Sequence, residues 1–302
     1  MATVKIWLRQ IRAPFLVVTL VSVFLGASVA VYQGHPVNAL YLGLAFLGAL
    51  LAHVSVNVLN EYFDYRSGVD FKTVKTPFSG GSGVLIEGLL NPRTVYAVGL
   101  LCIAGILAIG GYFIYVYWDY GLVLIPLGVV GLATIYFYTT HITRSPLACV
   151  VAPGLGFGPI MVLGTYFALT GGYSLAAGLA SLVPFFLVSN LLLLNQFPDV
   201  EADRSVARHH LPIAIGRKAS ADVYSLLLLA AYVALIVSVS LKVLPYMALI
   251  GLLTAPLAVM AAAGARRYHD QMENLVPVMA RNVLLTLLFP LLVSVGIIVS
   301  RA

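Results

Sequence analysis

The sequence predicts an all-α integral membrane protein, with nine transmembrane helices in one bundle, the N-terminus cytoplasmic and the C-terminus external. Three observations carry this. First, 61% of the 302 residues are hydrophobic and only 9% are charged, with a mean hydropathy of +1.00, whereas a soluble domain carries about a quarter charged residues. Second, a bilayer core needs about 20 apolar residues per helix, and such runs recur at 14–32, 38–60, 95–117, 121–139, 146–170, 174–196, 221–241, 245–265 and 280–300. They are continuously apolar, unlike the alternating segments of about 10 residues that build membrane β-barrels. Third, fifteen of the seventeen Lys and Arg residues fall on one side of this nine-span topology, and positive charge marks the cytoplasmic side.

Taken in order, the first run follows Lys5, Arg9 and Arg12, and Ser28 and Ala30 offer small residues of the kind a signal-peptide cleavage site uses. Cleavage would remove a span and upset the charge bias, so the run is read as the first span. The loop after the second run carries Arg66, Lys72, Lys75 and Arg93, and the loop after the fourth carries Arg144. Arg204, Arg208, Arg217 and Lys218 follow the sixth, and Arg266, Arg267 and Arg281 lie between the eighth and ninth. The opposite side holds only Lys242 and Arg301. No linker or low-complexity tract interrupts the runs, so 1–302 reads as one domain. Cys102 and Cys149 lie inside apolar runs and form neither a zinc spacing nor a disulfide framework. The net charge of +6 is scattered without a basic stripe, which excludes a nucleic-acid partner and suits a lipid surface. Nothing indicates an obligate protein partner.

The eleven acidic residues are the most informative. Six fall in two clusters at the predicted cytoplasmic ends of the second and sixth spans: Asn57-Val-Leu-Asn60-Glu61-Tyr-Phe-Asp64-Tyr-Arg66-Ser-Gly68-Val-Asp70, and Asn195-Gln196-Phe-Pro198-Asp199-Val-Glu201-Ala-Asp203-Arg204. Both contain Asn-x-x-x-Asp, 135 residues apart, which reads as a repeated half-site. Positions i and i+4 share a helix face, so Asn60 with Asp64, and Asn195 with Asp199 and Asp203, stack their oxygens. Ser67-Gly68 is expected to break the helix and fold Asp70 back.

Carboxylate and amide oxygens at this density suit a hard cation, and Mg²⁺ is typically held by one or two carboxylates plus substrate phosphates. The metal ligands expected are Asn60, Asp64, Asp70, Asp199 and Asp203. The neighbouring cations Arg66, Lys72, Lys75, Arg144 and Arg204, with Asn195, are expected to complete a diphosphate-binding shell. Ionisable residues at membrane ends at this density are costly to place and mark function.

These motifs resemble the UbiA superfamily of intramembrane prenyltransferases, across nearly the whole chain. The usual first motif there is Asn-x-x-x-Asp-x-x-x-Asp. Here Gly68 stands four after Asp64, and the second carboxylate comes as Asp70; Asp199-x-x-x-Asp203 matches the second motif directly. Asn60 to Asp70, Thr76-Pro-Phe-Ser-Gly-Gly-Ser-Gly83 and Gly158-Pro-Ile-Met-Val-Leu-Gly164-Thr-Tyr166 are similar to the branch that prenylates 1,4-dihydroxy-2-naphthoate for menaquinone. That branch often carries Lys-Tyr-Arg-Gly-Leu-Gly after the fourth span, whereas this chain has Tyr138-Thr-Thr-His141-Ile-Thr-Arg144, leaving His141 or Arg144 as the basic residue there.

The resemblance implies Mg²⁺-dependent ionisation of a polyprenyl diphosphate to an allylic cation, captured by an electron-rich aromatic acceptor. Tyr62, Phe63, Tyr136 and Tyr138 are the aromatic candidates to steady that cation, with Tyr138 placed among the catalytic residues. Gly154, Gly156, Gly158 and Gly164 would either let helices approach or leave room for the prenyl chain. His53 is expected to be a helix contact, and His209 and His210 loop residues. A 4-hydroxybenzoate or isoprenyl glyceryl phosphate acceptor is the alternative. A secondary transporter would place carboxylates at the midplane, which no span here does.

Overall fold

The computed structural model describes residues 2–301, which are all helix and loop with no strand among them. Helix α1 (Ala2–Gln10) ends where Arg12 adopts a left-handed backbone, φ 53, and turns the chain into the membrane. A 3-10 turn, Ala13–Leu16, then leads into α2 (Val17–Tyr32). The side chain of Asn38 caps α3 (Ala39–Ser67), accepting from the Leu40 and Tyr41 amides. Asn91 caps α4 (Pro92–Val116), whose first residue is proline; an Asn cap followed by proline at the first helical position is a strong start signal. Next come α5 (Leu124–Phe137), α6 (Pro146–Leu155) and α7 (Met161–Thr170). A π-helical turn at Gly156–Ile160, flanked by Pro153 and containing Pro159, joins the last two. The series ends with α8 (Leu175–Asn195), the short α9 (Val200–Arg204), α10 (Leu211–Ser240), α11 (Ala255–Tyr268) after a 3-10 run at Tyr246–Thr254, and α12 (Met272–Val299). Gly216, at φ 82 and ψ 159, breaks α10 near its start.

Eight of the described helical segments are long and apolar enough to cross a membrane, and they coincide with eight of the nine predicted runs. The predicted fourth run forms the shorter apolar segment Gly121–Phe137. Several helices outlast their apolar runs: α3 continues beyond residue 60 to Ser67, which keeps Asp64 on its helix.

Helices α2, α8 and α12 form the centre, where Leu25, Leu187, Phe289 and Val293 are fully buried, while α4 and α10 turn Leu101, Leu107, Leu226 and Leu229 outward. Polar bonds fasten the centre: Asn190 Nδ2 donates to the Tyr224 carbonyl at 2.9 Å, and the Tyr224 hydroxyl donates to Asn282 Oδ1 at 2.9 Å. Helices in lipid gain little from the hydrophobic effect between them, so close packing and such bonds carry the association. His53 is buried, bonded to Thr19 Oγ1 at 2.8 Å and edge-on to Phe157, the helix contact expected of it. Because α3 and α8 end on the same side of the bundle, their two acidic motifs meet.

Candidate active site

A cleft of about 110 Å³ lies between the ends of α3 and α8. Asn60 and Asp64 reach it from one face of α3. Gly68, at φ 79, ends that helix in the left-handed conformation glycine favours, and the 3-10 turn Val69–Phe71 folds Asp70 back into the cleft, buried. Asn195 arrives at the end of α8, and Asp199 and Asp203 from the turn and α9 beyond it. The two sequence-matched halves therefore face one another.

Arg208 bridges them. One of its amino groups donates to Asp64 Oδ1 and the other to Asp203 Oδ1 at 2.7 Å, while His210 Nε2 lies 3.0 Å from Asp203 Oδ2. Arg12 reaches in from the membrane entry of the chain and binds Glu61 Oε1. Four carboxylates of the cleft thus face two guanidinium groups, a deficit of positive charge. Several oxygens have no partner: Asn195 Oδ1, Gln196 Oε1 and Asp199 Oδ1 are all buried and unbonded. Asn60 spends its amide nitrogen on Thr139 Oγ1 at 3.0 Å, which leaves its oxygen available.

The electrostatics divide the acids. Burial pushes the Asp70 carboxyl up to about 7, with Asp64 and Glu61 adding to it. Burial likewise raises Asp199 to about 7, helped by Asp203. At Asp203 burial opposes the charge, but the hydrogen bond to His210 and the Arg208 guanidinium outweigh it and hold the carboxyl below the usual range. A further cation beside these two acids would favour their anionic forms. Among the described residues, no three His, Cys, Asp or Glu side chains gather closely enough to cage a metal alone.

The expected diphosphate shell is placed differently. Arg66 is exposed and lies over the Tyr62 ring, with Nη1 3.3 Å from its hydroxyl. Lys72 donates to Ser205 Oγ at 3.2 Å, tying the two motif loops together, and Lys75 pairs with Glu87 at 3.8 Å. Arg204 pairs with Glu201 on the surface, and Arg144 and His141 are exposed. None of these six lines the cleft, where the guanidinium groups are those of Arg12 and Arg208. His210 lies in the loop before α10, as expected, but is buried against Asp203. Its signal was absent from the sequence, where it stands beside the exposed His209. Of the aromatic candidates, Tyr138 lines the cleft, whereas Tyr62 and Phe63 pack against Tyr96 elsewhere, and Tyr136 sits edge-on to Phe63 with its hydroxyl 3.2 Å from that of Tyr96.

An apolar tract leaves the cleft. Asn60, Tyr138 and Leu192 also border a cavity of about 160 Å³, which shares Ala52, Gly131, Ile135, Ile160 and Met161 with a groove of about 340 Å³ between α3, α4, α5 and α7. The four glycines of the fifth span split here. Gly156 and Gly164 line the tract. Gly158 instead packs on α8, where a Cβ would lie 2.6 Å from the Ser181 carbonyl oxygen, and Gly154 likewise abuts Phe185 and Ser189.

The fold matches solved structures over nearly its whole length. A UbiA homologue from Aeropyrum pernix K1 superposes with a TM-score of 0.67, covering 95% of this chain and 98% of that one at 19% identity. A UbiA homologue from Archaeoglobus fulgidus, solved with GPP and Mg²⁺, gives 0.58, covering 97% and 99% at 14% identity. Among curated relatives, the 1,4-dihydroxy-2-naphthoate octaprenyltransferase of Bacillus subtilis (strain 168) is 26% identical over 97% of this chain and 92% of its own. That of Escherichia coli (strain K12) is 27% identical over 98% and 96%. UbiA prenyltransferase domain-containing protein 1 of Xenopus tropicalis is 28% identical over 94% and 79%. The UbiA prenyltransferase family model matches residues 19–288, a range that holds both acidic motifs and the apolar tract, and the chain belongs to that family.

Proposed function

We propose that this membrane prenyltransferase transfers a polyprenyl group from a prenyl diphosphate to an aromatic acceptor of the 1,4-dihydroxy-2-naphthoate type, with Mg²⁺, at the cytoplasmic face of the cell membrane. The observation that carries the reading is the meeting of the two half-sites, with unbonded oxygens, at the mouth of an apolar tract. The acceptor rests on the bacterial relatives, whose names specify that naphthoate. Orientation rests on the positive-charge bias, which with nine spans puts the termini on opposite sides.

The residues that would hold Mg²⁺ are Asn60, Asp64 and Asp70 on one side and Asn195, Asp199 and Asp203 on the other. Bound there with the diphosphate, the ion supplies Lewis acidity that contributes several kcal/mol to departure of the leaving group. Arg12 and Arg208 offer fixed donors to the charge that develops on the diphosphate oxygens as the C–O bond breaks. The apolar tract holds the prenyl chain and keeps water from the allylic cation. Tyr138, at the junction of cleft and tract, presents an aromatic ring worth about 0.5–2 kcal/mol to a nearby cation. The C–O electron pair leaves with the diphosphate, the acceptor ring attacks C1 with its own electron pair, and the attacked ring carbon expels a proton, or CO2 where it bears the carboxylate, to restore aromaticity.

Purified protein supplied with labelled prenyl diphosphates and three acceptors (the naphthoate, 4-hydroxybenzoate and an isoprenyl glyceryl phosphate) tests this. Transfer to the naphthoate is expected. Preferential transfer to either other acceptor would overturn the acceptor assignment, and transfer to none would overturn the function.

A further inference from the structure

Glu61 belongs by sequence to the first acidic motif, yet it does not face the cleft. It sits one residue beyond Asn60, about 100° round the helix, and is 1% exposed. Both of its oxygens are occupied. Oε1 accepts from Arg12 Nε at 3.0 Å, from Arg12 Nη2 at 2.7 Å and from the Ser82 amide at 2.7 Å, while Oε2 accepts from the Ser82 hydroxyl at 2.7 Å. Four donors hold this carboxylate in place, and it does not line the cleft where the other acids of the motif meet.

The partners of Glu61 are what border the cleft. Arg12 lines it directly, and so do Phe78, Ser79, Gly80 and Gly81, the segment that ends at Ser82. This segment is stiff on its own account, because Thr76 Oγ1 accepts from the amides of Phe78 and Ser79 at 3.1 and 2.8 Å. Gly81, at φ 71, passes so close to the motif that a Cβ would lie 3.2 Å from Asp70 Oδ1. From outside, Arg9 Nε donates to the Ser82 carbonyl at 2.8 Å and also binds Glu87, but these groups are solvent-exposed. Exposed pairs contribute little, whereas buried charge-assisted bonds contribute about 1.5–3 kcal/mol each.

We infer that Glu61 is a positioning residue for the reaction: it fastens the 76–82 strap across the diphosphate site and aims the Arg12 guanidinium into it, without touching substrate. The inference rests on the proposed function for its kinetic arm only.

Two measurements on the purified full chain test it. In Glu61→Ala, hydrogen exchange of the amides in 78–84 should rise about tenfold, because the Ser82 amide loses its acceptor, while α8 and α12 keep their protection. KM for the prenyl diphosphate should rise about tenfold as the strap loosens, and kcat should fall about tenfold as well, because Arg12 is no longer aimed at the charge that develops as the C–O bond breaks. Glu61→Gln keeps one acceptor oxygen for the Ser82 amide but loses the charge that faces Arg12, and should fall between wild type and Glu61→Ala in both. Unchanged KM in Glu61→Ala overturns the inference. So does a loss of protection that spreads to α8 and α12, or a Gln variant as damaged as Ala. If wild type turns over no prenyl diphosphate, the functional reading fails, and the exchange arm alone decides whether Glu61 fastens the strap.

Discussion

Replacing Arg208 by Met removes a side chain that bonds to both acidic motifs. In the metal-free protein it leaves Asp64 and Asp203, whose side chains are 11% and 7% exposed, without their shared guanidinium. Breaking a buried ion pair costs about 3–5 kcal/mol. Arg208 itself is 13% exposed and the cleft opens to water, so a loss of about 2–4 kcal/mol is expected, screened but not abolished. For a chain of this size each kcal/mol moves Tm by roughly 2–4 °C, which places the drop at about 4–16 °C. A divalent cation replaces the missing charge between the same carboxylates, so Mg²⁺ should raise Tm more in Arg208→Met than in wild type. The assay is thermal unfolding in detergent with and without saturating Mg²⁺. An Mg²⁺-induced rise no larger in the variant than in wild type, or a metal-free variant as stable as wild type, would refute the idea that Arg208 holds the two motifs together.

Gly164→Leu should lower turnover of a long prenyl diphosphate while sparing a ten-carbon one, since its side chain would enter the tract, the nearest atom to a new Cβ being Leu127 Cδ2 at 3.8 Å. Gly158→Leu should lose both donors alike together with Tm, because overpacking against α8 costs about 1–3 kcal/mol or more; the assay is donor-length turnover beside unfolding. The pH dependence follows from Asp70 and Asp199, whose folded-state values near about 7 lie above the ordinary carboxyl range. Groups raised on folding contribute stability that is complete below their unfolded values and lost as pH rises through about 7. Metal-free Tm should therefore fall from pH 5 to 7.5 and level off above, and the Mg²⁺-induced rise should be larger at pH 8 than at pH 6, because binding displaces those protons. The opposite order would contradict the assignment.

The acids of the site were legible because spacing alone marks them: two Asn-x-x-x-Asp units 135 residues apart, each at the end of an apolar run. Even the fold-back of Asp70 followed from Ser67-Gly68, since a glycine there permits the left-handed cap that the structure shows. The bases were not legible. Every cytoplasmic loop of a membrane protein is rich in Lys and Arg for topological reasons, so nothing in the sequence separates Arg208, which enters the cleft, from Arg204, which pairs on the surface with Glu201. Arg12 was hidden for the same reason, and its left-handed backbone sits at a non-glycine residue that no local pattern flags. The break between α6 and α7 had a signal in Gly156-Phe-Gly-Pro159, but uninterrupted hydropathy masked it.

The central claim is that neither half-site suffices alone and that a metal-bound diphosphate sits between them. Turnover of a prenyl diphosphate by Asp64→Ala and Asp199→Ala, each at saturating Mg²⁺ and each compared with wild type before and after chelation, tests it most directly. The account predicts that chelation silences wild type and that each variant alone loses more than the roughly tenfold to hundredfold that removal of an outer-sphere partner costs. Near-wild-type turnover in both variants, or activity indifferent to chelation, would contradict it.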